Sequence, residues 1–323
     1  MHILILGGHG RIGTLIANAL QARLPHAHIL RTSRKAHPPT QAGEWLQFDP
    51  FVDDWSRLPQ VDLVVNAVGA IRASKAMPFA KVHEGLTALL LQHRAALGQP
   101  RIVQVSALGA APAHKAAFLA TKGRADALLL AEPDTLVLRP SIVCTPGTML
   151  SQRLDQLIQV AKVGFGKLLV PAGFPATRVQ PIAPDDLGRI AAHAALDPEL
   201  TGVVELVGPQ ALSFETLLHT KAAAQGLNLR LIGVPRAIME GFVQHFVAVW
   251  FPSTLSRDQF QLLFEDNVGD ASLGTVLNGA PLQDTLPFWR GEPWPAPSPQ
   301  LLHTDTRKQP MYAAAIGNEK SIH

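Results

Sequence analysis

Residues 1–13 read MHILILGGHGRIG: an apolar run over His2–Leu6, then Gly7, Gly10 and Gly13 at every third position. A run this short and this apolar suits a parallel strand covered on both faces. Arg11–Leu24 continues with helical spacing of Ile12, Leu15, Ile16, Ala19 and Leu20. Strand, glycine turn and helix then follow one another directly. The missing side chains let the backbone turn tightly and approach a pyrophosphate, whose charge the helix N-terminus favours. Gly7, Gly10, Arg11, Ile12 and Gly13 are therefore candidate dinucleotide contacts.

Further along, the same alternation repeats. Strands are expected over His28–Thr32, Trp45–Phe48, Val61–Val68, Arg101–Ser106 and Thr135–Leu138, the last stopped by Arg139-Pro140. Helices are expected over Lys81–Leu97 and Ala113–Leu130. This rhythm predicts an α/β fold, a Rossmann-type doubly wound parallel sheet with a smaller C-terminal lobe. Beyond Pro146 it predicts a helix over Met149–Val163, loops or short strands among Gly164, Gly166, Pro171, Gly173 and Pro175, and a helix starting at Pro184-Asp185-Asp186. A strand over Val203–Val207 and a helix capped by Ser213 and running to Ala224 follow, then an apolar, aromatic-rich helix over 234–250 and a further helix over 252–264. The expected organisation is a core of residues 1–148 completed by 181–207, a lobe from 149–180 and 208–290, and a flexible polar tail over 291–323.

Composition narrows the class. Apolar residues make up 47% of the 323 and charged ones 16%, so the chain is globular. The formal charge of +3 is not gathered into basic runs, so nucleic acid is not an expected partner. The single cysteine, Cys144, rules out an internal disulfide and a cysteine-based zinc site, and is read as a small packed residue. None of the 13 histidines forms a ligand pair with a nearby acid, so no metal is expected. The first strand begins at residue 2 and no apolar run nears the ~20 residues that span a bilayer, so the expected location is cytoplasmic.

An NAD-selective site usually has an acid at the end of the second strand, on the ribose hydroxyls. Here that place reads Arg31-Thr32-Ser33-Arg34-Lys35. Guanidinium suits a phosphate through its planar fork of donors, so Arg34 and Lys35 point to NADP(H) ahead of NAD(H). Arg11 is a second candidate for that phosphate. Asp49 is read either as an acceptor for the adenine amino group or as a turn residue before Pro50. Ala67, Val68 and Gly69, small residues closing the fourth strand, would let the backbone pass close to the cofactor.

Taken together, GGHGRIG, NAVG, VSALGA at 105–110, the Lys122 helix, LRPSIV at 138–143, QPIAPDDLG at 180–188 and ELVGPQALSFETLL at 205–218 resemble the extended and atypical short-chain dehydrogenases/reductases. Within them the chain is most similar to the group of the nucleotide-binding accessory subunit of complex I and its bacterial relatives. LSRDQ at 255–259, EDNV at 265–268 and LPFW at 286–289 carry that similarity. The resemblance implies that Arg34 meets the 2′-phosphate, that Ser106 stands at the catalytic serine, that Lys122 binds the nicotinamide ribose, and that Pro140, Ser141, Ile142 and Val143 line the nicotinamide. One residue departs from it: the Tyr-x-x-x-Lys pair reads Phe118-Leu119-Ala120-Thr121-Lys122, and the only tyrosine of the chain is Tyr312. A phenyl ring neither gives nor takes a proton.

The expected function is thus an NADP(H)-binding protein whose cofactor is structural or regulatory, linked to a respiratory complex or to quinone metabolism. The alternative is an NADPH-dependent oxidoreductase acting on a quinone or other carbonyl without a tyrosine acid. An epimerase-like reaction fits less well, because it leans on the absent phenol. The aromatic run around Phe242–Phe251 is the expected contact for a partner or for the inner face of a membrane, with core packing as the competing reading.

Overall fold

The computed structural model describes residues 1–36, 43–70, 72–235, 237–238 and 262–294. Seven parallel strands form the main sheet: β1 (His2–Leu6), β2 (His28–Ser33), β3 (Glu44–Gln47), β4 (Leu63–Asn66), β5 (Arg101–Val105), β6 (Thr135–Pro140) and β9 (Gly202–Leu206). Their order across the sheet is β3-β2-β1-β4-β5-β6-β9. The chain runs outward from β1 to β3 and then returns to continue from β4 in the opposite direction. That reversal leaves a crevice at the carboxyl ends of β1 and β4, where open α/β sheets bind ligands.

Both faces of the sheet are covered, which is why its strands are near-continuous apolar runs. Ile3 and Ile5 point into one core, with Ile16 and Leu20 of α1 (Arg11–Arg23) and Leu187 and Ile190 of α5 (Pro184–Leu196). Leu4 and Leu6 point into the other, with Leu86 and Leu90 of α2 (Leu86–His93) and Leu129 of α3 (Ala117–Leu130). A third cluster gathers Leu154 and Ile158 of α4 (Met149–Val163), Leu217 and Leu218 of α6 (Phe214–Ala224) and Trp289 of α8 (Leu286–Arg290), together with Cys144. Asp186, fully buried in the first turn of α5, fastens the C-terminal segment to this frame. It accepts from the Gln283 amide at 2.6 Å and from Asn278 Nδ2 at 3.3 Å, and pairs with Arg189. Asn278 ends α7 (Ser272–Asn278).

Several expected elements shift. The predicted helix over 81–97 opens with a π-helical turn, Lys81–Gly85, before α2 begins. The predicted start of α3 at residue 113 moves to Ala117, since His114 Nδ1 accepts from the Ala116 amide and holds a turn there. Strand β6 runs through Arg139 and Pro140, because a proline at the last position costs no ladder donor, and Pro140 stays in register with Leu206. Val234 is not a helix start. It closes β11 (Arg230–Val234), which lies parallel to β7 (Lys167–Pro171) in a separate two-stranded sheet. A second small sheet joins β8 (Arg178–Val179) to β10 (Leu212–Ser213). Most of the predicted helices over 234–250 and 252–264, the 242–251 contact run, and the tail beyond residue 294 lie outside the described residues.

Candidate functional site

The crevice begins at the glycine turn. Gly7 has φ +72°, a conformation that L side chains rarely adopt. A Cβ on Gly13 would sit 2.6 Å from the Gly7 carbonyl oxygen and 3.1 Å from Gly8 Cα, so α1 packs on the turn only because Gly13 has none. Gly10 is different: a Cβ there meets only the Gly7 oxygen, at 3.2 Å, and otherwise faces open space. Gly10 is also the N-cap of α1, and no side chain caps this helix. The amides of Arg11, Ile12 and Gly13, without intrahelical partners, therefore offer donors and a positive dipole end at the mouth. The turn itself is held by the Gly10 amide on Gly7 O at 2.9 Å and the Gly8 amide on Thr32 O at 3.1 Å.

Arg34 and Lys35 follow β2 and are exposed, while Thr32 and Ser33 are buried. The Arg34 carbonyl accepts from Gln47 Nε2 at 3.1 Å, which ties the end of β2 to β3. Arg31, earlier on the same strand, is buried beneath the glycine turn. It donates to Gly8 O and to Thr14 Oγ1 and stacks 4.2 Å from the Trp45 ring, and burial lowers its pKa. Arg11 does not turn toward Arg34. Its guanidinium donates at 2.8 Å to the Gly147 carbonyl, in the loop after β6, which lies across β1 from β2. Asp49 is a turn residue here. One carboxylate oxygen accepts from the Phe51 amide at 3.0 Å, and its own amide donates to Asp53.

After β4 the chain passes through Ala67, Val68 and Gly69. The Val68 amide donates to Asn66 Oδ1 at 3.2 Å, and a Cβ on Gly69 would lie 3.7 Å from Lys122 Nζ. Lys122, on α3, is buried and donates to the Val105 carbonyl at 3.0 Å. Burial pushes its pKa down to about 8, with Asp126, one helical turn on, pulling the other way. His83 stands beside it on the π-helical turn, an irregularity that recurs at functional sites. Thr121 Oγ1 donates within its own helix, to Ala117 O at 2.8 Å, so His83 Nδ1 must donate to Thr121 Oγ1, at 2.8 Å. Nε2 is then an acceptor, facing the Ala70 amide at 3.5 Å. Burial and the nearby Lys122 cation push the imidazole down to about 3, so it is neutral. A small cavity opens among Asn66, Val68, His83, Gln104 and Lys122.

Phe118 stands where the resemblance to short-chain dehydrogenases expects a tyrosine. Its ring packs edge-on against Phe79 and His83, with centroids 5.8 and 5.6 Å away. Lys122 Nζ lies 5.9 Å from its centroid. Ser106 is buried and donates to Asp126 Oδ2 at 2.8 Å. Asp126 is paired with Arg139 at 3.0 Å and accepts from Gln104 Nε2 at 3.3 Å. The half-buried residue after Ser106 is Ala107, which has no polar group. The floor of the site is thus a satisfied network, Thr87–Gln104–Asp126–Ser106–Arg139, which no motif in the sequence marks. The spacing of Asp126 four residues after Lys122, on one helix face, is the only sign of it there.

Pro140 is buried. Ser141 donates to Asn267 Oδ1 at 3.1 Å, Ile142 and Val143 are half-buried, and Val143 bridges to Ile182. Cys144 is fully buried, and desolvation raises its thiol pKa, as expected of a packing residue. Among the described residues no His, Cys, Asp and Glu group is arranged to hold a metal, and no helix is long and apolar enough to cross a membrane. The geometry thus brings the glycine turn, the 66–70 loop, Lys122 and Pro140–Val143 to the carboxyl-end side of the sheet. It sets Arg11, Asp49 and Ser106 to other partners.

No protein-family model matches the sequence, and no curated protein matches it. Solved structures do share the fold. A nucleoside-diphosphate-sugar epimerase from Staphylococcus aureus superposes with a TM-score of 0.66 at 18% identity, covering 90% of this chain and 100% of that one. The NAD-dependent NDP-hexosamine 5,6-dehydratase TunA gives 0.62 at 18%, covering 90% and 98%. A tyrosine-to-phenylalanine variant of the UDP-glucuronic acid 4-epimerase of Bacillus cereus, in complex with a fluorinated UDP-glucuronic acid and NAD, gives 0.57 at 18%, covering 73% and 87%. The seven-stranded parallel sheet with flanking helices is therefore an α/β Rossmann-like fold shared with NAD-binding epimerases and dehydratases.

Proposed function

We propose that this chain binds a nicotinamide dinucleotide in the crevice and holds it in a structural or regulatory role. The carrying observation is the pairing of an intact cradle with an apolar catalytic corner. Gly10 leaves the space a pyrophosphate needs, while Phe118 packs into Phe79 and His83 in place of a phenol. The residues fit the group: α1 offers uncapped amides to the pyrophosphate, Lys122 has N–H groups beyond the one given to Val105 O for ribose hydroxyls, and Pro140–Val143 flank the ring. A bound dinucleotide supplies hydride chemistry; these residues position it and exclude water. Tight binding to the native state alone stabilises the fold by mass action, without turnover.

The cofactor is NADP(H) in preference to NAD(H), because Arg34 and Lys35 follow β2 where an NAD site places a carboxylate. Calorimetric titration with both nucleotides decides this. NADPH binds more tightly to the native chain, and Arg34→Ala removes a charge-assisted contact of about 1.5–3 kcal/mol from NADPH while leaving NADH nearly unchanged. Equal affinities in the native chain refute the preference.

The second reading is an NADPH-dependent reductase of a quinone or other apolar carbonyl. Lys122 favours it: a buried ammonium with a pKa of about 8, beside a cavity, is a proton source that needs no phenol. Turnover of quinones by the native chain, abolished by Lys122→Met, would establish that reading. Tightly held NADPH that no quinone oxidises supports the structural one, with a respiratory or quinone-linked assembly as its partner.

A further inference from the structure

The C-terminal end of α4 presents a feature unrelated to the crevice. The Gly166 amide donates to Ala161 O at 2.8 Å and the Phe165 amide to Lys162 O at 3.2 Å. These two bonds are the 6→1 and 5→2 pair of a Schellman motif, which places Phe165 at the left-handed position. Its φ is +52°. Glycine is the usual residue there, and a bulky aromatic at positive φ is an outlier that persists only for a reason. Packing is not that reason, since Phe165 is 95% exposed. The flanking glycines, by contrast, are required by the fold: a Cβ on Gly164 would meet Lys167 O at 2.5 Å, and one on Gly166 would collide with Asn228 O.

Around this tip the surface is apolar and basic. Val163 is 83% exposed, Leu169 58% and Val160 50%. Register carries the patch across the small sheet, where Lys167 pairs with Arg230 and Leu169 with Ile232. Lys162, Lys167 and Arg230 are exposed beside it. No Asp or Glu occurs between Asp155 and Asp185, nor between Glu215 and Glu240, and Asp155 is itself paired with Lys221 at 2.8 Å. An exposed aromatic and aliphatic knob, ringed by cations and free of carboxylates in its own segments, is complementary to an anionic bilayer surface. There the ring enters the acyl boundary and the ammonium and guanidinium groups meet lipid phosphates.

We propose that the turn Gly164-Phe165-Gly166, with Val160, Val163 and Leu169, docks this protein reversibly onto anionic lipid membranes. The proposal stands apart from any reaction in the crevice. Flotation of the full chain with vesicles of equal parts phosphatidylglycerol and phosphatidylcholine, compared with pure phosphatidylcholine, tests it. Binding is expected to the anionic vesicles only, to weaken with salt, and to fall about tenfold or more in Phe165→Gly and in the double change Lys162→Glu, Lys167→Glu. Because glycine is preferred at that φ, Phe165→Gly keeps or raises the thermal midpoint, which separates lost docking from lost folding. Failure of the native chain to bind either vesicle overturns the proposal, as does undiminished binding by both variants. A concentration-dependent dimer in sedimentation that Phe165→Gly dissolves would instead assign the patch to a second copy of this chain, and would equally overturn it.

Discussion

The two ends of the crevice lie at the same carboxyl-end side of one sheet and answer to different constraints. At the glycine turn the requirements are on the backbone: a positive φ at Gly7, no Cβ at Gly13, open space at Gly10. At the Lys122 end they are on side-chain chemistry, and there the chain has a phenyl ring, a neutral histidine and a serine whose proton goes to Asp126. On the proposed reading, a scaffold keeps the geometry suited to a dinucleotide while the groups that would act on it are turned to packing. If the proposal holds, binding and chemistry are separable properties of one crevice, and each end can be broken without the other.

The largest effect separates the two kinds of glycine. In Gly13→Val the new side chain meets backbone atoms of Gly7 and Gly8, which cannot move without moving β1. Stability should fall by roughly 3 kcal/mol or more, and dinucleotide binding should vanish with it. Gly10→Val should lose binding with a thermal midpoint within a few degrees of the native chain, because its Cβ faces open space where the proposed pyrophosphate would lie. If Gly10→Val binds normally, the pyrophosphate site lies elsewhere. If Gly13→Val is as stable as the native chain, the packing role of Gly13 is wrong.

The next effect belongs to the other end. Lys122 is held at a pKa of about 8 against an ordinary value of 10.5, mainly by burial. Its folded pKa is the lower one, so the unfolded chain binds more protons between about pH 8 and 10.5, and stability rises with pH across that window. Below the window the buried cation costs about 3 kcal/mol, since each tenfold loss of proton affinity is worth about 1.36 kcal/mol. Lys122→Met should therefore unfold at higher urea than the native chain at pH 7, and this advantage should shrink to nothing as the pH approaches 10.5. An advantage that stays constant with pH would mean that Lys122 is not desolvated in solution. His83 acts with the same sign in an acid window. Its folded pKa of about 3 lies below the ordinary 6.5, so the native chain loses stability as pH falls between those values.

How much of this is legible in the sequence follows the same division. The strands and the glycine turn are readable because alternating apolar runs and missing side chains constrain the backbone directly. Ile3, Ile5, Leu4 and Leu6 divide between two cores as a doubly covered strand requires. Side-chain roles are harder. Ser106 occupies the place the family resemblance gives a catalytic serine, yet its rotamer sends the hydroxyl to Asp126. Arg11 sits inside the turn yet reaches Gly147, 136 residues on. His83 is hidden because a π-helical turn brings it beside Lys122, and helical periodicity has no sign for that. The Phe165 tip shows in the sequence only as a break between glycines, since its meaning depends on a φ angle and an exposure that sequence does not display.

The smallest effect on the fold, and the sharpest on function, is Phe118→Tyr. Phe118 is half-buried, so a hydroxyl at its ring edge keeps contact with water, and stability should change by less than about 0.5 kcal/mol. Dinucleotide affinity should not change, because the cradle is formed by other residues. The measurement of interest is carbonyl reduction by NADPH, followed by the loss of its near-ultraviolet absorbance with a panel of quinones and aldehydes. Lys122 is in place to lower the pKa of a restored phenol, its cation lying 5.9 Å from the present ring centroid. Ser106 remains bound to Asp126, however, and Ala107 offers no hydroxyl to orient a carbonyl. The expected result is therefore little or no turnover in the single variant. Adding Ala107→Ser to Phe118→Tyr supplies the missing donor from the half-exposed position, and any activity should appear first in that double change. Robust turnover in Phe118→Tyr alone would show that the side-chain end of the crevice is intact but for one oxygen atom, and would replace the proposed structural role with that of a silenced reductase.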